Sequence, residues 1–395
     1  MKQYVTKFNW INASQWLILI GISLNKAGEL SALLLFSIIL TAFFHKGYSI
    51  VKIIIIFLII ATISSINIYI NNYPFYKFIQ QWILLICYFI CYKLFFEYNK
   101  NNLHELWEKY IKISIFISII GIIQFIIYFF IKIDFFPNGF SNGEYIRIHS
   151  FFQEAGNLAS FLTPAITYII LSKKYFYTHK KQSIILLLTY LLTFTTIAYF
   201  ILILIIIYKL TTKYRFLKYI AIFFLIISIQ FLVNNDSRKS YDQKNPIEAM
   251  QMKFFDTFSA FKSFTPYDFE LLNASSYTTL TNIWIACKAP NRIIGTGLGT
   301  HEFSYTSLYK SNYELYGQNK SDAYSLFTRI FSEFGFIGII LFVLYLIKFY
   351  KRNNMISLSL LFFFLSVGIR GGHYTLYGII FFFFFYMYNA KSYIK

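Results

Sequence analysis

Charge is scarce in this chain of 395 residues, since Asp, Glu, Lys and Arg make up only 13% of it. A soluble domain averages about 25% charged and roughly 45–50% apolar residues. Here 57% of the residues are hydrophobic and 22% are aromatic. The composition excludes a soluble domain as the main body of the chain and indicates a polytopic membrane protein.

Motifs of several common enzyme and binding classes are also missing. Cys87, Cys91 and Cys287 do not make a disulfide framework. There is no Walker motif, no Asp-x-Asp and no paired His/Cys set, so we predict no cofactor, no metal ion and no ATP-driven chemistry. There is no nucleic-acid-binding motif, and we interpret the net charge of +19 as lysines that face anionic lipid, without a nucleic-acid partner. The amino-terminal apolar stretch lacks the features of a cleavable signal peptide.

Apolar runs of about 18–20 residues, long enough to span a bilayer, recur along the chain. Backbone groups in lipid must be paired internally, so we predict an all-α polytopic integral membrane protein with about twelve transmembrane helices. Helices one to nine occupy residues 1–233 with an outer loop at 134–150, a large periplasmic loop occupies 234–323, and helices ten to twelve occupy 324–395. The predicted crossings are 9–24, 28–44, 50–70, 78–96, 112–132, 151–172, 183–195, 196–208, 217–233, 324–347, 354–369 and 375–389.

Lysine placement orients these crossings. With the amino terminus inside, each inside segment carries at least two Lys or Arg, and the short outside loops are poor in Lys, as the positive-inside rule requires. Both termini are then cytoplasmic. Residues 182–208 are too long for one comfortable span, so we predict two short helices broken at Thr193–Thr196. Irregular backbone at membrane depth must face protein or water, which places that break near a cavity.

Arginine is rare, with 7 residues against 29 lysines, and five of the seven fall outside or at the outer interface in this topology. Guanidinium binds phosphate and carboxylate in a bidentate geometry that Lys cannot copy, which indicates a diphosphate or an anionic sugar as ligand. The alternative is ordinary salt bridges with carboxylates such as Glu302 and Glu333. The five arginines are Arg147, Arg238, Arg292, Arg329 and Arg370.

The neighbours of Arg147 suggest an anion site. Ser150 and Gln153 have the spacing of a capping box, which predicts a helix from Phe151 with its positive end near Arg147. Glu154 in the first turn either compensates the helix dipole or acts as a base or an orienter of Arg147, and His149 could share either role.

Two glycine-rich segments follow later in the chain. Arg370 lies beside His373 in the predicted outer turn 368–374, which is either a plain hairpin or a point of close approach to a ligand. Gly295–Gly299 lacks the Walker Lys and reads as an outer turn. His301, just after it, is either solvent-exposed or part of the site.

The segments Trp284–Gly299 and Asp322–Gly338 resemble the O-antigen polymerase and ligase superfamily. In that family a Trp-bearing helix leads to a proline and a glycine-rich turn, and a helix start of the form Glu-x-Gly-x-x-Gly re-enters the membrane. Arg147–Ala159 resembles the family's Arg…Phe-x-Glu segment. Three positions typical of the ligase branch are not matched, which favours the polymerase branch; they are occupied here by Tyr324–Ser325, Thr195–Thr196 and Thr279–Leu280.

The resemblance implies a metal-independent glycosyltransferase of the bacterial inner membrane. It would move a growing glycan from undecaprenyl diphosphate to a new lipid-linked repeat unit at the periplasmic face, with a chain-length regulator as a further partner. The alternatives are an O-antigen ligase that acts on lipid A-core, a flippase or secondary transporter, and a non-catalytic scaffold.

Roles follow for the candidate residues. Arg147, Glu154 and Arg370 are predicted to be catalytic, with the arginines stabilising the departing diphosphate. The predicted substrate-binding residues are His149, Arg238, Arg292, His301, Arg329 and His373. Aromatic residues of the large loop either line a glycan path or form the loop's own core, for example Tyr267, Phe269, Tyr277, Tyr305 and Tyr309.

Overall fold

The structure is a computed structural model, and it describes residues 10–24, 51–134, 136, 146–214, 256 and 264–392. Secondary structure in these ranges is helical, with no β-strand among them. A 3₁₀ helix at Leu376–Gly378 precedes the last α-helix. The α-helices are α1 (Trp10–Ser23), α2 (Val51–Ile70), α3 (Phe75–Asn99), α4 (Leu103–Ile131), α5 (Ala155–Leu171), α6 (Lys173–Thr178), α7 (Lys180–Leu192), α8 (Thr196–Lys213), α9 (Pro266–Phe269), α10 (Ala274–Lys288), α11 (His301–Leu308), α12 (Leu326–Phe349), α13 (Met355–Ile369) and α14 (Ile379–Ser392).

Among the described residues, four helices are long and apolar enough to cross a membrane: α2, α3, α4 and α12. The helices α5, α8 and α13 are shorter and also apolar. The helical character predicted from the sequence is therefore confirmed for the described residues. The number of twelve crossings stays a prediction, since the crossings 28–44 and 217–233 lie outside the described residues.

Helices α5 and α13 pack along each other in the interior of the bundle. The hydroxyl oxygens of Ser160 and Ser366 lie 2.9 Å apart between them, and both side chains are buried. Small residues allow close approach of helix backbones, and hydrogen bonds between helices add to that packing inside a membrane. This contact holds the start of α5 next to the end of α13, where the site lies.

The helices alternate in direction, so their connections collect at two ends of the bundle. We name one of them the loop end; there Glu154 before α5 meets Arg370 after α13. At the opposite end the Asn354 amide donates to Asn389 at 3.2 Å. The described parts of the predicted outside connections lie at the loop end, and the described inside segments lie at the opposite end. Which end faces the cytoplasm stays a prediction. The loop end comprises residues 71–74, 146–154, 193–195, 289–325 and 370–375.

Helices α7 and α8 are the predicted pair of short helices, and the break between them is confirmed. The 13 residues of α7 extend only about 20 Å, against the roughly 30 Å of a bilayer core. Phe194 at the break has a φ of 45°. The Ile148 N–H donates to the Leu192 carbonyl at 3.2 Å, so the segment before α5 covers this irregular backbone. A cavity beside the break stays a prediction.

Helix α12 is broken in its middle at Gly335, whose φ of 62° and ψ of −159° are not helical. The sequence predicted a crossing at 324–347, which agrees with the observed start of this helix, whereas the Glu333-x-Gly335 segment that resembles the family's helix entry lies inside it. The helix begins at Leu326, where the Ser325 hydroxyl accepts the N–H of Thr328 at 3.1 Å. The motif therefore marks a kink inside a helix.

The glycine-rich turn after α10 closes this kink. Four backbone bonds join the two segments, so the N–H and carbonyl groups freed by the broken helix are paired. A Cβ on Gly335 would lie 2.4 Å from the Ile293 carbonyl carbon, and one on Gly295 would lie 2.3 Å from that of Glu333. Only glycine fits this mutual contact. The bonds run from Phe336 to Arg292 (2.9 Å), Ile337 to Ile293 (3.1 Å), Thr296 to Ser332 (3.1 Å) and Gly297 to Glu333 (2.9 Å).

The described part of the large loop has an aromatic core of its own. Phe269, Tyr277, Tyr305 and Tyr309 are buried in it, whereas Tyr267 is 64% exposed. Of the two alternatives for these aromatic residues, the loop core is confirmed for the first four. This core holds the loop as a folded unit against the loop end of the membrane helices.

Candidate functional site

The centre of the candidate site is an ion pair between two residues far apart in the sequence. Arg370 donates from Nη2 to Oε2 of Glu154 at 2.7 Å. Their side chains are 19% and 40% exposed, so the pair lies at the surface of the loop end. The guanidinium also lies over the Tyr324 ring, 5.4 Å from its centroid. The structure thus brings together two of the three residues that were predicted to be catalytic.

The local fold explains why Glu154 is available. The predicted capping box at Ser150 and Gln153 is wrong, because Ser150 has a φ of 50° and its hydroxyl donates to the Ile117 carbonyl at 3.3 Å. Helix α5 begins at Ala155 instead of Phe151, and Glu154 is its N-cap residue. The Glu154 carboxylate makes no capping bond to its own helix. It is directed to Arg370.

A glycine makes room for the arginine. A Cβ on Gly156 would lie 2.7 Å from Nε of Arg370. The guanidinium therefore lies directly over the first turn of α5, close to the positive end of a helix. The Arg370 guanidinium and the positive end of α5 repel each other, and the Glu154 carboxylate offsets this repulsion. An anionic ligand would be attracted by both.

Arg329 lies deeper than predicted. Expected outside or at the outer interface, its side chain is 3% exposed and pairs with Glu333 at 3.1 Å, one turn later on α12. It also donates to the Gly372 carbonyl at 2.9 Å and to the Gln81 amide oxygen at 2.6 Å. The Tyr374 ring lies beneath it, with the centroid 4.3 Å away. The salt-bridge alternative is confirmed for this arginine.

Beside Arg329 there is a cavity of about 210 Å³. Its polar lining includes Lys77, Gln81, Arg329 and His373, and Leu84 lies on its apolar side. Nε2 of His373 is 3.2 Å from Oδ2 of Asp322. Imidazole beside a carboxylate is an arrangement that orients the ring. His373 and Arg329, both predicted to bind substrate, therefore line one cavity.

The other two predicted histidines do not line this cavity in the described residues. His301 is fully buried, with Nδ1 2.8 Å from the Ser332 hydroxyl and Nε2 2.9 Å from the Asn282 amide oxygen. Burial, with a smaller contribution from Arg329, lowers the pKa of His301 to about 3. Of the two predicted alternatives, solvent exposure is wrong, since the ring is buried and ties the loop to α12.

His149 is 2% exposed and also has a structural environment. Its Nδ1 lies 2.9 Å from the Phe152 carbonyl, and its Nε2 lies 2.9 Å from the Gln124 amide and 3.2 Å from Asp134. The ring fastens the segment before α5 to the end of α4. A buried polar group needs such partners, which is the reason that this histidine is not exposed.

The remaining arginines differ in position. Arg147 is half-buried, between the fully buried side chains of Ile146 and Ile148. The side chain of Arg292 is exposed, while its carbonyl accepts the Phe336 N–H at the kink. Arg238 lies outside the described residues. The structure therefore gives the clearest geometry to Arg370 and Arg329.

Several residues of this region were missed from the sequence. Lys77 and Gln81 on α3 and Asp322 before α12 all contribute to the cavity or to a residue that lines it. The spacing of Lys77 and Gln81, four residues apart on one helix face, was the available signal. Their neighbours in space are about 250 residues away in the chain, and that proximity has no local pattern.

Comparison of the chain with family models, with curated proteins and with solved structures finds no match. Among the described residues, no group of three His, Cys, Asp or Glu side chains is arranged to hold a metal ion. The function is therefore argued from the site itself.

Proposed function

We propose that this chain is an O-antigen polymerase, or a polymerase of a related surface polysaccharide, in the bacterial inner membrane. It transfers a growing glycan from undecaprenyl diphosphate to a new lipid-linked repeat unit at the periplasmic face. The observation that carries the proposal is the Arg370–Glu154 pair, in which a partly exposed guanidinium at the start of the apolar helix α5 is bonded at 2.7 Å to the N-cap carboxylate. The motif resemblance and the apolar helices support it.

The proposed role of Arg370 follows from the negative charge that develops on the leaving diphosphate. The acceptor hydroxyl attacks the anomeric carbon of the donor, a new glycosidic bond forms, and the bond from that carbon to the diphosphate oxygen breaks. The leaving diphosphate gains negative charge, and Arg370 stabilises it. A ligand separates a partly exposed ion pair at less cost than a buried one, so the diphosphate competes with Glu154 for the guanidinium.

The roles of the other groups change from those predicted. Glu154 positions Arg370, because a carboxylate bonded to guanidinium is a poor base. The acceptor hydroxyl loses its proton to His373, which Asp322 orients at 3.2 Å. His149 and His301 are 2% and 0% exposed, and substrate does not reach them. The folded loop over the loop end limits the entry of water, which would hydrolyse the donor.

One observation favours a transporter as the second candidate. Arg329 and Glu333 form a buried ion pair inside a helix long enough to span a membrane. Ionisable groups in such helices commonly mark a transport pathway. A transporter, however, does not need the partly exposed Arg370–Glu154 pair to be an arginine and a carboxylate.

The test is the lipopolysaccharide banding pattern of a strain that lacks this gene. The strain is complemented with wild type, Arg370→Lys, or the control Arg352→Lys, an exposed arginine at the opposite end. We expect Arg370→Lys to lose the ladder and to keep one repeat unit on the core, since Lys cannot reproduce the guanidinium geometry. Arg352→Lys keeps the ladder.

Other outcomes lead elsewhere. Loss of every repeat unit from the core, with lipid-linked polymer accumulating, indicates a ligase. Repeat units that accumulate on the cytoplasmic side indicate a transporter. An unchanged ladder in the deletion strain contradicts the proposal.

A further inference from the structure

Tyr324, in the turn before α12, contacts three separate segments of the chain. The Arg370 guanidinium lies over its ring, 5.4 Å from the ring centroid. Its hydroxyl lies 3.0 Å from the hydroxyl of Ser275, near the start of α10 in the large loop. Its carbonyl accepts the N–H of Gly371 at 3.0 Å. One tyrosine therefore joins the large loop, the turn before α12 and the turn after α13.

The backbone at this tyrosine is strained. Ala323 has a φ of 58° and Tyr324 has a φ of 62°, and residues other than Gly, Asn, Asp and His rarely adopt such angles. Within the described ranges, this is the one place where two successive residues other than glycine have a positive φ. Such strain persists only where the surrounding structure holds it, and it clusters at active sites and ligand clamps. The conformation therefore indicates a functional role for the segment 322–324.

Contacts with the turn after α13 hold this segment in place. Oδ1 of Asp322 accepts the Tyr324 N–H at 3.2 Å, while Oδ2 of the same carboxylate lies 3.2 Å from Nε2 of His373. A Cβ on Gly372 would lie 1.5 Å from the Asp322 carbonyl oxygen, so the two turns are in direct backbone contact. The segment 322–324 therefore contacts both Arg370 and His373, the two groups for which a part in the reaction is proposed.

An aromatic ring is a suitable support for an arginine that also binds an anion. A guanidinium over an aromatic face is attracted by the ring electrons. A second carboxylate would hold the cation more strongly, but it would compete with a diphosphate for the N–H donors. Of the five N–H groups of a guanidinium, the bond from Arg370 to Glu154 uses one. Tyr324 therefore fixes the cation without an oxygen atom that would replace those of the ligand.

We propose that Tyr324 is a positioning residue of the transfer reaction, whose ring holds the Arg370 guanidinium where negative charge develops on the leaving diphosphate. The ring is the acting part, and the hydroxyl contact with Ser275 fixes the orientation of the ring. The identity of the anion rests on the proposed function. The contact between the ring and the guanidinium does not depend on it.

The test compares substitutions of this one residue in the full chain. The protein is purified in detergent, and kcat and KM are measured for the elongation of lipid-linked repeat units extracted from the deletion strain. Tyr324→Phe keeps the ring, and Tyr324→Leu removes it. Tyr324→Asn also removes the ring, and because Asn tolerates a positive φ, it provides a folded ring-free variant if Tyr324→Leu does not fold.

The matched control is Tyr177→Leu, at a tyrosine of α6 that is 74% exposed at the opposite end. Thermal melting verifies that each variant is folded. We expect Tyr324→Asn to melt close to the wild-type temperature, because Asn relieves backbone strain at this position.

The two ring-free variants should lower kcat about tenfold, with KM within about twofold of wild type, because Arg370 stabilises charge that develops in the transition state. Tyr324→Phe should keep kcat within about threefold of wild type, since it loses only one hydrogen bond. Tyr177→Leu should change neither constant. A folded ring-free variant with wild-type kcat overturns the proposal. A Tyr324→Phe variant that loses as much as Tyr324→Leu also overturns it, because the hydroxyl would then be the acting part.

A second measurement follows Arg370 itself and needs no turnover. An arginine-specific dicarbonyl reagent modifies guanidinium groups, and mass spectrometry gives the rate at each arginine. We expect Arg370 to react about three- to fivefold faster in the folded ring-free variants than in wild type or Tyr324→Phe, because the ring no longer holds the cation. The rate at the exposed Arg352 should stay unchanged. Equal rates at Arg370 in all variants contradict a holding contact.

The two proposals fail separately. If the wild-type protein elongates no glycan, the proposed function fails, while the modification rates still test the contact between Tyr324 and Arg370. If wild type is active and Arg370→Lys is inactive, but the ring-free variants keep wild-type kcat, the positioning role of Tyr324 fails and the proposed function stands.

Discussion

Two arginine–carboxylate pairs lie at the loop end, and water reaches them to different extents. Arg370 and Glu154 are 19% and 40% exposed, whereas Arg329 and Glu333 are 3% and 0% exposed. A ligand separates a partly exposed pair at less cost than a buried one. A buried pair that loses one partner leaves a charge in a dry site. An arginine–carboxylate pair can therefore take part in a reaction at Arg370–Glu154, whereas the buried Arg329–Glu333 pair supports the cavity structurally.

The largest effect is expected from breaking the buried pair. Glu333→Gln leaves the Arg329 charge without its carboxylate, and we expect the free energy of unfolding to fall by about 3–5 kcal/mol. The measurement is SDS-induced unfolding in mixed micelles. The double variant Arg329→Met/Glu333→Leu should lose less than Glu333→Gln alone, because both charges are gone. A loss below 1 kcal/mol for Glu333→Gln would remove the distinction between the two pairs.

The kink next to Glu333 should be nearly as sensitive. Gly335→Ala places a Cβ 2.4 Å from the Ile293 carbonyl carbon, at a backbone conformation that essentially only glycine adopts. We expect a loss of roughly 2–3 kcal/mol in the same unfolding assay. Wild-type stability would mean that the glycine turn and α12 separate easily.

The free energy of unfolding should also depend on pH, because His301 is buried near Arg329. The folded pKa of His301 is about 3, below the usual value of about 6.5. The unfolded chain takes up a proton below about pH 6.5 and the folded chain does not, so stability is lost as pH falls from 6.5 towards 3. Between pH 7.5 and 5 we expect a decrease of up to about 2 kcal/mol at this position. His301→Gln should flatten the profile, whereas His104→Gln, at an exposed site, should leave it unchanged.

The smallest effect on stability is expected at the exposed pair. Gly156→Ala places a Cβ 2.7 Å from Nε of Arg370, a flexible side chain that moves aside. The unfolding free energy should change by less than about 1 kcal/mol, while the polymer ladder shortens or disappears. Ladder length and unfolding are measured on the same variant. If Gly156→Ala lost as much stability as Gly335→Ala and kept a normal ladder, the Arg370–Glu154 pair would be structural and its proposed part in the reaction would be contradicted.

Local sequence patterns predicted many of the helices. Apolar length predicted the helices, and the polar Thr193–Thr196 interruption predicted the break between α7 and α8, because both depend on neighbours in the chain. Local pattern failed where a side chain bonds to a distant segment. Ser150 looks like a helix cap, but its hydroxyl bonds to Ile117. The kink at Gly335 inside the predicted crossing 324–347 was not predicted, because its backbone is paired with the turn after α10.

The candidate site was predicted only in its residue types. The scarcity of arginine indicated Arg370 and Arg329 as candidate residues. The predicted helix start at Phe151 indicated Glu154. The partner of Glu154 was not predicted, because Arg370 is 216 residues away in the chain. Lys77 and Gln81 were not selected, since a lysine and a glutamine near a helix end are common in any membrane protein.

The sequence by itself determined the composition and the secondary structure of this protein: few charged residues, and apolar runs that form helices in the part of the chain that the structure describes. Only the tertiary structure decided which arginine is buried and which is exposed, which histidines are structural, and which glycines face carbonyl groups. The physical reason is that composition and periodicity act over a few residues, whereas an ion pair, a cavity or a paired backbone break needs two segments that packing alone brings together.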